Sequence, residues 1–283
     1  MMLVHEQRIA QELSLHERQI RTTIQLLDEG ATVPFISRYR KELTGSLDEV
    51  QVATIRDRIG QLRDLDKRRE AIVKSLTDLG KLTPALQESL DAAETMAVLE
   101  DIYLPYKPKR KTRASVAKEK GLEPLALLLL QQEDVDLPTI AASYVSEEQG
   151  VLTAEDALSG ARDIVAEMIA EHAETRAQMR DFFLEHGSFV SRVVPGKEAE
   201  AIKYKDYFEW SEPVKTAPSH RILAMRRGEK EQMLYLDVDV PEEEAAHLII
   251  QRFIKAVHPT ASQVQLAIQD GFKRLLKPSM KPK

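Results

Sequence analysis

One stripe of apolar residues limits the folds open to this chain more than any other feature. Val52, Ile55, Ile59, Leu62, Leu65, Ile72, Leu76 and Leu79 recur at three-or-four spacing, and only Arg69 breaks the row. That spacing lies along one face of an α-helix and cannot line one face of a strand. The start signal is "GSLDE": Ser46 is a candidate cap and Glu49 follows three residues later, as in a capping box. Gly80 closes the far end. At 1.5 Å per residue, roughly thirty residues make a rod about 45 Å long. The stripe lasts about four heptads, which suits one helix of a bundle better than a coiled coil.

The rest of the chain agrees with a helical reading. Aromatic residues are 5% of the 283, low for a sheet sandwich, while Leu, Ala, Glu, Gln and Arg are plentiful. Val4 to Leu27 reads as one helix, with Gly30 as its stop. Pro34 suits the first turn of a second helix, in which Phe35, Ile36 and Tyr39 face inward and Arg38, Arg40 and Lys41 face out. Thr83 with Pro84, and then Thr95, begin short helices that end by Leu104, before Pro105. "PYKPKRKT" is an extended loop, and Ser115 to Lys120 is a turn of helix before Gly121. Short, sharply punctuated helices of this kind suit a helix-turn-helix-like subdomain. Thr153 caps a long helix running to His186, "PGKEAEAIKYKDYFEW" reads as helix, and "SHRILAMRRG" is a short one with Ser219 as cap and Gly228 as stop. "SFVSRVV" and "QMLYLDVDV" alternate as strands do. The expected fold is mainly α: a multi-helix scaffold with a helix-turn-helix-like subdomain and two or three short strands.

Composition excludes several function classes. There is no cysteine, which removes disulfides and thiolate metal sites and fits a reducing cytosol. The longest apolar run, Leu125 to Leu130, is six residues, far short of the roughly 18 that span a membrane. "MMLVHEQRIAQELSL" lacks the apolar core of a signal peptide, so a cytoplasmic protein with no membrane partner is expected. Gly80-Lys81 and Gly196-Lys197 each miss two positions of a phosphate-binding P-loop, and GxGxxG and GxSxG are absent. No two of the seven histidines have metalloprotease spacing. No catalytic residue, cofactor or metal is expected, and the chain reads as a non-enzyme.

Charge is distributed unevenly around a net of -6. Asp101 to Gly121 holds seven basic and two acidic residues, Gln131 to Glu174 eleven acidic and one basic, and Gln251 to Lys283 seven basic and one acidic. The sharpest basic cluster is Lys107, Lys109, Arg110, Lys111 and Arg113, five of seven consecutive residues. Pro105 and Pro108 extend that backbone, and Tyr103 and Tyr106 offer rings for stacking, so the loop is a candidate for phosphates and unstacked bases. A solvated loop with its tyrosines packed inward is the competing reading. The second candidate is Arg221, Arg226 and Arg227, which either hold a phosphate or pair with the acidic segment 131–174.

Four segments carry a family resemblance: "LLDEGATVPFISRYRKELTGSLDE", "LEDIYLPYKPKRKTRASVAKEKGLEPLA", "YKDYFEWSEPV" and "SHRILAMRRGE". Their content and order resemble the bacterial Tex proteins, cytoplasmic transcription accessory factors. The resemblance implies a discontinuous helical N-terminal scaffold over 1–61 and 124–283, with an inserted helix-turn-helix-like subdomain over 62–123. It further implies that the RNase H-like, helix-hairpin-helix and OB-fold domains of the family lie outside this chain. The expected partner is nucleic acid, RNA or DNA, bound mainly through those other domains, with a weak basic surface here. RNA polymerase or other transcription factors are the expected protein partners, and a scaffold that docks them without touching nucleic acid is the alternative. A nuclease is favoured only by the RNase H-like domain, which this chain does not match.

Overall fold

The computed structural model describes residues 5–107 and 111–280. It is mainly helical, with one small antiparallel sheet among the described residues. The chain forms two compact units, divided between Tyr103 and Leu104.

The first unit holds seven helices among the described residues. α1 (His5–Leu13) and α2 (Glu17–Asp28) replace the single helix expected over Val4 to Leu27. The break is at Ser14, whose φ of +53° is left-handed and ends α1. Gln19 Oε1 then accepts from the His16 amide at 3.2 Å, which fixes the start of α2. α3 (Val33–Tyr39) and α4 (Lys41–Thr44) follow. α5 (Glu49–Asp78) is the expected rod, 30 residues long. Its cap is Asp48, not Ser46: Asp48 Oδ1 accepts from the Gln51 amide at 2.8 Å, and Gln51 Oε1 accepts from the Asp48 amide at 3.0 Å. Ser46 instead follows Gly45 through a left-handed turn, with φ of +65°. Val52, Ile55, Ile59 and Leu62 of α5 meet Ile9, Ile20, Ile24 and Ile36 in one core. α6 (Pro84–Ala92) starts on the Thr83 cap as expected, and α7 (Met96–Tyr103) follows Thr95, whose Oγ1 accepts from the Val98 amide at 3.3 Å.

The stripe's one polar member is not a defect. Arg69 is buried, and its Nε and Nη2 donate to the Leu90 and Ala93 carbonyls at 3.0 and 2.8 Å. The Leu90 carbonyl otherwise accepts only the Ala93 amide, at 3.3 Å, and the Ala93 carbonyl lies just past the end of α6, so one guanidinium ties the two helices together.

The second unit begins with a 3₁₀ turn (Leu104–Tyr106), α8 (Arg113–Glu119), α9 (Glu123–Gln131) and α10 (Leu137–Ala142). The long helix expected from Thr153 to His186 is two. α11 (Ala154–Glu171) ends at His172, whose ψ of 119° leaves the helical range, and α12 (Ala173–His186) starts there. His172 Nδ1 accepts from the Thr175 amide at 3.3 Å, so one side chain serves as the cap that separates the helices. α11 is central: its Ala157, Ala161, Ile164 and Val165 are fully buried, and α8 and α9 pack on it.

Strands β1 (Ser188–Val193), β2 (Glu209–Pro213) and β3 (Leu234–Asp239) form a sheet of order β2-β1-β3. β1 and β3 lie in the two segments expected as strands. β2 overlaps the segment expected as helix only at Glu209 and Trp210, and the helical part of that segment is a 3₁₀ stretch over Ile202–Tyr207; "EWSEP" carries no β-branched residue and its alternation lasts only five positions. Pairing with β1 decides it, placing Trp210 opposite Ser191 and Glu212 opposite Phe189 on the covered face. α13 (Ser219–Lys230) lies between β2 and β3 in sequence. Ser219 is its first residue and gives no side-chain cap, since Pro218 holds the cap position. Nor does Gly228 end it: a Cβ there would meet Leu234 Cδ1 at 2.6 Å, so glycine admits a close helix–strand approach. α14 (Glu242–Phe253) and α15 (Pro259–Gly271) follow; α15 packs against α11 and passes through a π turn into α16 (Lys277–Met280).

Segregated charge resolves largely within this unit. Arg252 bonds to Glu174, and Arg274 Nη2 donates to Asp163 Oδ1 at 2.8 Å, so the basic C-terminal segment neutralises part of the acidic one. Burial pushes the Asp163 carboxyl up, and the charges of Arg274 and Arg113 oppose that shift.

Candidate nucleic-acid interface

The basic loop is anchored on both sides. On one side the 3₁₀ turn ends at Tyr106 and leaves Lys107 exposed. On the other, Thr112 caps α8: its Oγ1 accepts from the Ser115 amide at 3.0 Å, and Ser115 Oγ accepts from the Thr112 amide at 2.8 Å. That box puts Lys111, which is exposed, just before the helix and Arg113, which is also exposed, at its first position. Lys111 Nζ lies 3.4 Å from Glu119 Oε2, an exposed pair that salt screens readily. Lys109 and Arg110 lie outside the described residues.

The two tyrosines differ. Tyr103 is buried, its hydroxyl is 3.0 Å from Ser75 Oγ, and the Arg68 guanidinium lies 5.6 Å from its ring centre. It is therefore a core residue and offers no free ring for stacking. Tyr106 is half-buried. Arg113 and Lys120 line a cavity of about 420 Å³ beside α11, but Asp156 and Asp163 line it too, so its wall is electrically balanced.

The second candidate cluster is mostly occupied. Arg221 Nη1 donates to Glu212 Oε1 at 2.7 Å, and its guanidinium sits 5.3 Å from the Trp210 ring centre. Arg226 Nη1 donates to Glu229 Oε2 at 2.8 Å. Both pair with carboxylates near them in sequence rather than with the segment 131–174. Arg227 is exposed on α13.

A third cluster was not legible as a site. α3 buries Val33, Ile36 and Ser37, and this points Phe35 and Tyr39 outward, against the expected inward packing. Phe35 is 39% and Tyr39 64% exposed, with ring centres 5.6 Å apart. Arg38 and Lys41 are exposed beside them, and the Arg40 guanidinium lies 4.9 Å from the Phe35 ring centre.

Known proteins share this chain's sequence over most of its length. Residues 4–77 match the family model described as Tex-like protein N-terminal domain, and residues 132–272 match the Tex central region-like model. The chain belongs to the Tex family. It is 46% identical over 248 residues to Protein tex of Bordetella pertussis, covering 87% of this chain and 31% of that protein. It is 44% identical over 253 residues to Transcriptional accessory protein Tex of Neisseria gonorrhoeae, covering 87% and 33%. Human S1 RNA-binding domain-containing protein 1 is 27% identical over 270 residues, covering 90% and 27%. The chain thus spans about a third of the length of these Tex relatives. No described helix is long and apolar enough to cross a membrane, and no cluster of metal-ligating side chains occurs among the described residues.

Proposed function

We propose that this Tex chain is the helical platform of a cytoplasmic transcription accessory factor that works on nucleic acid, and that it performs no catalytic step itself. The observation that carries this reading is the 44% identity across 87% of the chain to a protein named as a transcriptional accessory protein. The S1 RNA-binding name of the human relative supports nucleic acid as the partner. In this reading residues 62–123 act as an inserted helix-turn-helix-like element, and 1–61 with 124–283 as the scaffold around it. The direct contribution to binding is the loop Lys107, Lys109, Arg110, Lys111 and Arg113. Arg221 and Arg226 hold the fold of the second unit, and Arg227 adds to its charge.

The test is a titration of labelled single-stranded RNA and duplex DNA at low salt. Replacing the five loop cations by Gln weakens binding and flattens its salt dependence, by about 0.7 in log–log slope for each single-strand phosphate no longer neutralised. Failure of the wild-type chain to bind either at low salt rejects a direct role in binding. Magnesium-dependent cleavage of either rejects the non-catalytic reading.

A second reading, docking of RNA polymerase or another transcription factor without nucleic acid, is favoured by one observation. The first unit carries a groove of about 1170 Å³ with Ile24, Ile59 and Leu62 in its floor and Glu88, Asp91 and Glu94 on its rim. The arginines on its wall are already engaged, Arg8 by Glu12, Arg63 by Asp28 and Arg69 by Asp66. Polymerase retained after nuclease digestion, and lost on Glu88→Lys with Asp91→Lys, supports this reading over the first.

A further inference from the structure

We propose that Phe35, Arg38, Tyr39 and Lys41 form a second site, on the first unit, for a single-stranded stretch of nucleic acid. The proposal rests on the reading of nucleic acid as partner and adds a binding surface about seventy residues before the basic loop.

Local structure forces the cluster outward. Ile36 is fully buried, and Thr32 with Pro34 sets the start of α3. A seven-residue helix that buries positions 33, 36 and 37 leaves 35, 38 and 39 on the opposite face. Single exposed apolar side chains are common on protein surfaces, but here two aromatic rings lie side by side in one patch. Here the smaller Ser37 is buried while the neighbouring aromatics remain outside.

The rings are placed to receive a base. Phe35 and Tyr39 are tilted by 43°, so they do not cover each other's faces. Arg40 covers Phe35, which leaves Tyr39 as the open platform. Every base has a π-face, so such a platform is tolerant of sequence.

The cations are uncompensated. Arg38, Arg40 and Lys41 have no ion-pair partner among the described residues. Glu42 is four residues from Arg38, the spacing of a helical ion pair, but the backbone at Arg40 (φ −131°, ψ 26°) breaks the helix between them. By contrast Arg8, Arg58, Arg63 and Arg68 in the same unit all hold carboxylates. Unpaired cations beside an exposed ring match a phosphate chain carrying unstacked bases. A protein partner gripping Tyr39 and the exposed Leu43 is the competing occupant. It fits less well, because interface cores are depleted in charge and this patch carries three positive charges with no carboxylate bound to them among the described residues.

The experiment titrates the 283-residue chain with a fluorescein-labelled oligo-uridine of about 12 nucleotides, long enough for one site of this kind, and separately with a duplex. The variants are Tyr39→Ala, Tyr39→Trp, the pair Arg38→Gln with Lys41→Gln, and the loop variant with all five cations replaced by Gln. Loss of one stacked base makes Tyr39→Ala roughly 5- to 150-fold weaker for oligo-uridine, and Tyr39→Trp stays near wild type. The Arg38/Lys41 variant flattens the salt slope by about 1.4. Weakening by Tyr39→Ala with rescue by Trp upholds the site, whether or not the loop variant also weakens binding. Unchanged affinity in Tyr39→Ala and in Arg38→Gln/Lys41→Gln, with weaker binding in the loop variant, overturns this site and leaves the loop reading intact. No oligonucleotide binding by the wild type overturns both. Tyr39 is mostly exposed, so unchanged circular dichroism in Tyr39→Ala separates removal of the stacking ring from damage to the fold.

Discussion

Arg58 grips Glu12 at two points: Nε lies 2.6 Å from Oε2 and Nη2 lies 2.6 Å from Oε1. Arg8 Nε adds a third bond at 3.0 Å. The hydrogen bonds from Arg58, aided by Arg8 and by both positive charges against the cost of burial, lower the Glu12 carboxyl from 4.5 to about 2. The folded-state value is depressed, so the stabilisation is present above the unfolded value and is lost as pH falls from 4.5 toward about 2. Screening at this partly exposed but bidentate pair reduces its worth to about 1 kcal/mol. Glu12→Gln therefore lowers the urea midpoint of the first unit at neutral pH and narrows the difference between neutral and acidic midpoints. An equal midpoint drop above and below the Glu12 titration range, followed by circular dichroism, contradicts this.

Arg69 predicts a larger effect. Arg69→Met keeps the apolar stripe continuous but takes the donor from the Ala93 carbonyl and leaves the Leu90 carbonyl only the Ala93 amide. Leaving one buried acceptor without a donor, and weakening the bonding of a second, costs about 1–3 kcal/mol. Arg69→Lys recovers less than half, because one ammonium cannot reproduce a fork of donors at two carbonyls. Thermal unfolding of the two variants checks the order: wild type, then Lys, then Met.

Two glycines predict opposite signs. A Cβ at Gly60, within α5, meets nothing within 4 Å, so Gly60→Ala stabilises the helix by about 0.5–1 kcal/mol. A Cβ at Gly160, within α11, overlaps Leu122 Cδ1 and lies 3.3 Å from Ala117 Cβ. Both neighbours are buried, and such overpacking costs about 1–3 kcal/mol. Chemical denaturation of the two single variants reads the difference directly.

These positions also show what the sequence could express. The α5 stripe was legible because 30 residues repeat one period, and Thr83 and Thr153 were legible as caps because capping needs only local atoms. The breaks at Ser14 and His172 were not, since a left-handed serine and a histidine that caps through its ring are unusual stop and start signals. Strand β2 depends on β1 for its identity, a pairing that no local pattern in "EWSEP" announces. The orientation of α3 failed for a geometric reason. Residues 35 and 39 share one face and 36 another, both faces carry apolar groups, and only the buried neighbours of Ile36 choose between them. The basic loop was readable as charge, whereas the choice between a stacking and an inward-packed Tyr103 was not, because its partner Ser75 is 28 residues away.

Arg221 gives a last prediction that separates phosphate binding from a structural role. Glu212 is largely buried, Arg221 satisfies its Oε1, and Oε2, Trp210 Nε1 and Ser191 Oγ are buried without protein partners. Such a cluster has little polar capacity to spare, so removing the guanidinium leaves a carboxylate with no cation beside a buried indole. Arg221→Leu therefore destabilises the second unit by about 1.5–3 kcal/mol. Trp210 is the sole tryptophan of the chain, so its emission reports this environment without background. The expected result is a shifted Trp210 emission maximum and a lower unfolding midpoint, with oligonucleotide affinity unchanged under conditions where the variant is folded. Glu212→Gln with Arg221→Leu recovers part of the stability, because the double change removes the orphaned charge as well as its partner. A variant that folds with wild-type stability and emission yet binds oligonucleotide more weakly would instead make Arg221 a phosphate ligand.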